Sequence, residues 1–175
     1  MKEFIERAII PATNEVLPQD ADRLSYGEFL VYIGLWLQMS RLLGFDRQSW
    51  WSSKAPSNLG GAPWRFNDYM TRNRFYSITS ALSFTKSPPP AYKDQFWRVR
   101  EMLAAWNKNM ATQFTPSWIN CLDESMSTWT NRWTCPGFMF VPRKPWPFGN
   151  EYHTICCAKS EKDMVVLVGS QISVP

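Results

Sequence analysis

A chain of 175 residues has room for one ordinary domain or two small ones, and 45 % hydrophobic with 15 % aromatic residues is ample material for a core. A net charge of +4 and a pI near 8.9 permit nucleic-acid binding without demanding it, and they exclude a histone-like polycation. No run approaches the roughly 18 apolar residues of a membrane span, and Met1–Arg7 mixes charges where a secretory leader needs an apolar stretch, so the expected setting is intracellular.

The first helical segment predicted is Phe4 to Ile10, stopped by Pro11. Ser25 and Glu28 then have the spacing of a capping box, in which the hydroxyl and the carboxylate satisfy exposed helix amides. The helix that follows carries Phe29, Ile33 and Trp36 at helical spacing, with Leu30, Leu35 and Leu37 on other faces. An apolar surface nearly all round predicts a buried helix, and Gly44 is its expected end. Residues 47–62 read as a loop with Trp50 and Trp51 as anchors, because large aromatics usually bury most of their area. A second helix is expected from Asn67, with Phe75, Ile78 and Leu82 as its inward stripe and Arg74 salt-bridged or solvated.

Pro88 to Pro90 cannot continue a helix and predicts an extended spacer. Asp94 caps a third helix, where Val99, Leu103, Trp106 and Met110 form a stripe expected to be core. Pro116 marks the change from helical spacing to alternation. Trp118 to Asp123 reads as a short strand ending at Asp123, with Ile119, Cys121 and Asp123 on one face. A carboxylate closing an apolar face is either partnered, shifted in pKa, or merely the cap of the turn that follows. Further strands are expected at Phe138–Val141, Tyr152–Ala158 and Met164–Gly169, with a polar turn at Lys159–Asp163. The four cysteines, at 121, 135, 156 and 157, contain no Cys-x-x-Cys pair and share the chain with one histidine. Free buried thiols fit better than a zinc finger. His153 has no Ser or Cys nucleophile at a recognisable spacing.

One ordered set of short motifs carries a resemblance. Leu122-Asp-Glu-Ser-Met126, Asn131-Arg132, Pro136-Gly137, Val141-Pro-Arg-Lys-Pro145 and Phe148-Gly-Asn-Glu-Tyr152 resemble the start of the catalytic domain of piggyBac-type transposases. Upstream, Glu28-Phe-Leu-Val-Tyr-Ile-Gly-Leu35, Trp51-Ser52 and Arg72-Asn-Arg-Phe75 are similar to that family's amino-terminal pattern. The resemblance implies an α+β chain: a helical amino-terminal domain over residues 1–115, then the opening strands of a truncated ribonuclease-H-like domain over 116–175. It implies Asp123 as the first catalytic, metal-binding Asp, Mg²⁺ as cofactor, and DNA transposon ends as partner. A nuclear setting and a homodimer follow from the same source, and no membrane is implied.

Two-metal phosphodiester chemistry needs several carboxylates, because hard Mg²⁺ prefers oxygen ligands. After Asp123 the sequence offers Glu124, Glu151, Glu161 and Asp163. Glu124 faces away by alternation, and the last two fall in the expected turn. The expectation is a transposase-derived chain that is catalytically silent alone. A domesticated DNA- or protein-binding module, or a fragment without function, are the alternatives. Arg132, Arg143 and Lys144, interleaved with Trp129, Trp133, Phe138, Phe140, Trp146 and Phe148, are the DNA-contacting candidates. Gly149-Asn150-Glu151 stands where the family commonly has Gly-Ile-Lys, so one expected cation is missing.

Overall fold

Aromatic side chains from three separate segments meet at Phe75, and the first half of the chain is assembled around that ring. The structure is a computed structural model describing residues 1–41, 47–52, 65–92, 94–113, 115, 118–129, 131–159 and 164–172. It divides into two compact units, Lys2–Lys86 and Ser87–Pro175, the second including Met1.

The first unit opens with α1 (Lys2–Phe4), a π-helical turn (Ile5–Ile9) and α2 (Ile10–Val16). The stop expected at Pro11 does not occur. The wider π turn ends just before it, so Pro11 falls at the start of α2, where its missing N–H leaves no hydrogen bond unmade. In α3 (Tyr26–Arg41) the Ser25 Oγ accepts from the Glu28 N–H at 3.2 Å, which is half of the expected capping box. The other half is diverted: Glu28 takes a bidentate pair from Arg74, both contacts 2.7 Å. That carboxylate holds the Arg74 guanidinium above its ordinary pKa. Only one stripe of α3 is buried, through Phe29, Tyr32 and Leu35. Leu30, Val31 and Leu37 are exposed, so the all-round burial expected from the sequence does not hold.

A 3₁₀ turn (Arg47–Trp51) presents Trp50 and Trp51 to this core, as anchors should be. The buried Trp51 Nε1 donates to the Met70 carbonyl at 2.8 Å. The second helix expected from Asn67 starts later. Phe66–Asp68 is a 3₁₀ turn, and α4 (Arg72–Ala81) begins where Thr71 Oγ1 accepts from the Arg74 N–H. Phe75 and Ile78 are fully buried and Leu82 packs at the margin. Ring centroids of Tyr32, Trp36 and Trp51 lie 5.1, 5.4 and 5.0 Å from Phe75, within the range of favourable aromatic pairs.

In the second unit, Asp94 Oδ1 accepts from the Phe96 N–H at 3.0 Å ahead of α5 (Trp97–Gln113). Arg100, hydrogen-bonded to Asp94, holds that carboxyl below its usual range. The stripe of α5 expected to be core is not buried: Val99, Leu103 and Met110 are half-covered and Trp106 is exposed. The sheet has four antiparallel strands: β1 (Asn120–Thr128), β2 (Met139–Phe140), β3 (Phe148–Lys159) and β4 (Met164–Ile172). Central β3 takes β1 along one edge, while β2 and β4 share the other. The expected α+β arrangement is present, but β1 does not end at Asp123. It runs on through Ser125 and Ser127 because the whole stretch to Thr128 pairs with β3.

Among the described residues two glycines of this unit take positive φ. Gly137, at φ +56°, sits against the Phe96 ring, and Gly149, at φ +154°, lies where an added Cβ would overlap the Ser127 carbonyl. Gly44, Pro116, Glu161, Asp163 and most of the 47–62 loop fall outside the described residues. Among the described residues no helix is long and apolar enough to cross a membrane.

Phe75→Ala is expected to lower unfolding free energy by about 3–5 kcal/mol in urea titration, the usual cost of removing a buried ring. Arg74→Met leaves a half-buried carboxylate unpaired, and a loss of about 1–3 kcal/mol is expected in the same assay.

Candidate functional site

The pairing of β1 with β3 sorts the polar residues of the second unit onto two faces. Cross-strand partners include Asp123 with Thr154, Glu124 with His153, Ser125 with Tyr152 and Met126 with Glu151. Alternation then puts Asp123 and Ser125 on one face with Tyr152, Thr154 and Cys156, and Glu124 on the other with Glu151 and His153.

The Asp123 face is open to water. Asp123 is exposed, as is Cys121 two residues before it, and Ile119 is half exposed. The apolar face read from Ile119 and Cys121 is thus not a buried one. Its Oδ1 accepts from the neighbouring Glu124 N–H at 2.8 Å. Ser125 Oγ lies 3.2 Å from Thr154 Oγ1. Burial pushes the Tyr152 hydroxyl pKa up, so it is a neutral donor rather than a phenolate. No other Asp or Glu of the described strands shares this face.

The opposite face is the more crowded one. Glu124, Glu151 and His153 bring one ligand atom each within 4.8 Å of one another. Glu151 is buried, and its Oε1 lies 3.1 Å from His153 Nε2. The 140s turn folds back over Glu124: Arg143 pairs with its carboxylate, and Lys144 Nζ donates to its backbone carbonyl. Two of the three DNA-contact candidates are thus gathered at one residue. The third, Arg132, is separate, with its guanidinium carbon 4.4 Å from the centre of the Trp133 ring in a cation–π contact. Trp133 and Trp146 are exposed, and the half-exposed Phe140 and Phe148 stack at 5.0 Å between centroids.

Sequence reasoning placed Glu124 away from Asp123, as the structure has it, but did not join it to Glu151 and His153. The available signal was the two-residue spacing of Glu151 and His153 on one strand; the missing one was the register with β1, which no local pattern prints. Of the thiols, Cys135 and Cys157 are buried as expected, Cys156 is half-buried and Cys121 is exposed. Burial pushes the Cys135 thiol pKa up, which makes it a poor nucleophile. In the first unit a polar depression is lined by Ser49, Trp51, Asn67, Thr71, Arg72 and Asn73, without a carboxylate or imidazole among its lining residues.

Comparison with known proteins identifies the class. The family described as Transposase IS4 matches residues 2–162. Since that is nearly the whole chain, the protein belongs to this transposase family. Within it the similarity is to the piggyBac type, as the motifs suggested. The backbone superposes on a solved chain titled "Cryo-EM structure of piggyBac transposase synaptic complex with hairpin DNA" with a TM-score of 0.72 at 15 % identity. The match covers 99 % of this chain and 37 % of that one, so this chain spans little more than a third of that transposase's length. No curated protein sequence matches.

An exposed Asp whose carboxylate contacts only a neighbouring amide contributes little to folding. Asp123→Asn is expected to change unfolding free energy by no more than about 0.5 kcal/mol in urea titration, in contrast to the core variants above.

Proposed function

We propose that this chain is a transposase-derived DNA-binding protein that does not cut DNA by itself. The family match over residues 2–162 carries the reading. On this proposal residues 1–115 correspond to a helical amino-terminal domain and residues 116–175 to the opening strands of a ribonuclease-H-like catalytic domain. Asp123 corresponds to the first metal-binding Asp. The nuclear setting and a homodimer come from the family alone.

The side chains on the Asp123 face do not make a Mg²⁺ site by themselves. A hard divalent ion is held by several oxygens and gives up water reluctantly. Asp123 offers one exposed carboxylate, and its described neighbours on that face are hydroxyls and thiols. A two-metal site needs carboxylates that clamp both ions. On this proposal the described residues supply no cleavage step by themselves.

DNA contact would be electrostatic. Arg132, Arg143 and Lys144 supply the cations, and the exposed rings of Trp133 and Trp146 supply stacking surface. Lys144 reaches the Glu124 carbonyl through its ammonium, which keeps two further protons for a phosphate. Glu151, standing where the family commonly has Lys, removes a cation from the same strand and weakens the total.

Binding to duplex carrying transposon-end sequence is expected at low salt, with logarithmic affinity falling linearly in logarithmic salt concentration. Lys144→Ala should reduce that slope by roughly one unit. No binding at low salt, or an unchanged slope, would overturn the assignment. With Mg²⁺ or Mn²⁺ the purified chain should leave end-containing DNA intact, and Asp123→Asn should not alter that result. Metal-dependent nicking lost in Asp123→Asn would refute the claim of silence.

A further inference from the structure

We propose that Glu124, Glu151 and His153 form a binding site for a borderline transition ion of the Zn²⁺ or Co²⁺ class, on the sheet face opposite Asp123. The site is built by the strand register and does not rest on the DNA-binding reading. Glu124 and His153 are directly opposed across the β1–β3 pair, and Glu151 precedes His153 by two residues on the same side. Directly opposed Cβ atoms in such a pair lie about 4.5–5.5 Å apart, and diagonal neighbours remain within reach of long side chains. Three ligand atoms accordingly fall within 4.8 Å of one another without a loop having to move.

The donor set selects the ion. One imidazole nitrogen with two carboxylate oxygens suits Zn²⁺ or Co²⁺, whereas Mg²⁺ favours an all-oxygen octahedron. Three protein ligands leave a further position for water, the arrangement of an open rather than a closed structural centre. Burial points the same way. Glu151 is 7 % exposed, and a carboxylate that far from water is favourable only beside positive charge or hydrogen-bond donors. His153 provides a donor at 3.1 Å, and a divalent ion in the same place would provide more charge.

Arg143 sets the condition for filling the site. Its guanidinium pairs with the Glu124 carboxylate, so the ion and Arg143 compete for one ligand. Binding requires Arg143 to swing into solvent, where its side chain already lies largely exposed, while the Lys144 contact to the Glu124 backbone carbonyl is left intact. The arginine is thus an internal competitor, and its removal must strengthen ion binding. A merely structural ion pair makes the opposite prediction.

The test is a titration of the full chain, freed of metal, with Co²⁺ followed by visible absorption and with Zn²⁺ and Mg²⁺ by calorimetry. No nucleic acid is present, so failure of the DNA-binding reading would leave the result unaffected. One Co²⁺ per chain is expected, with Mg²⁺ at least about tenfold weaker. His153→Ala and Glu124→Gln should each weaken Co²⁺ binding at least about tenfold, because loss of even an outer partner of a metal ligand commonly costs that much. Arg143→Ala should tighten it. Should His153→Ala fail to fold, Glu124→Gln, on an only partly covered side chain, keeps the proposal open to refutation. A Co²⁺–thiolate charge-transfer band that disappears in Cys121→Ser would assign the ion to cysteine and overturn the proposal. Affinity indifferent to both ligand substitutions would overturn it equally.

Discussion

The nine-residue antiparallel pairing of β1 with β3 decides which polar side chains of those two strands can meet. Strand side chains alternate with a period of two, so a slip of one residue would send Asp123 to the face of His153 and Glu124 to the face of Tyr152. The register is pinned at one end by Gly149, opposite Thr128, where a larger residue would strike the Ser127 carbonyl. It is extended on the far edge of β3 by β4, which pairs from Tyr152 to Lys159 with an irregularity between Ile155 and Cys156. Chemistry on this sheet is a consequence of register before it is a consequence of residue type.

The two units bury apolar surface in different ways. In Lys2–Lys86 a single cluster runs from Ile9 to Ala81, with Phe75 and Ile78 wholly enclosed and a bidentate ion pair at its margin. In Ser87–Pro175 the buried set is sparse among the described residues: Phe96, Cys135, Val141 and Cys157 among the apolar ones. Meanwhile Trp118, Leu122, Trp133, Trp146 and Phe148 remain in contact with water.

Helix positions were legible where side chains alone settled them. The stripe of Phe75 and Ile78, the Ser25 and Asp94 caps and the two anchoring Trp residues all follow from spacing and size. For Arg74 the sequence leaves a salt bridge and a solvated side chain both open; the structure has the salt bridge, to a partner 46 residues away that no local pattern names. Pro11 misled because a π turn, invisible in composition, reset the helix just ahead of it. The α5 stripe misled differently: spacing reports that a face is apolar, not that a neighbour covers it. At the sheet, the motifs single out Asp123, but alternation alone does not say that its face lies open to water. The Glu124, Glu151 and His153 cluster needed a register that only the folded backbone supplies.

Arg143 and Lys144 both terminate on Glu124, one at its carboxylate and one at its carbonyl. A neighbouring chain of phosphates therefore meets cations that are already engaged by an acceptor tethered to the same fold. Such a tethered acceptor competes at an effective concentration fixed by geometry and not by dilution. On the DNA-binding proposal a phosphate would have to displace the Glu124 carboxylate from Arg143, while the Lys144 ammonium keeps further protons to offer. Only a surface that offers several acceptors at once can exchange them together. On that proposal the turn over Glu124 would work as a threshold, raising the number of simultaneous contacts a polyanion must make before it stays.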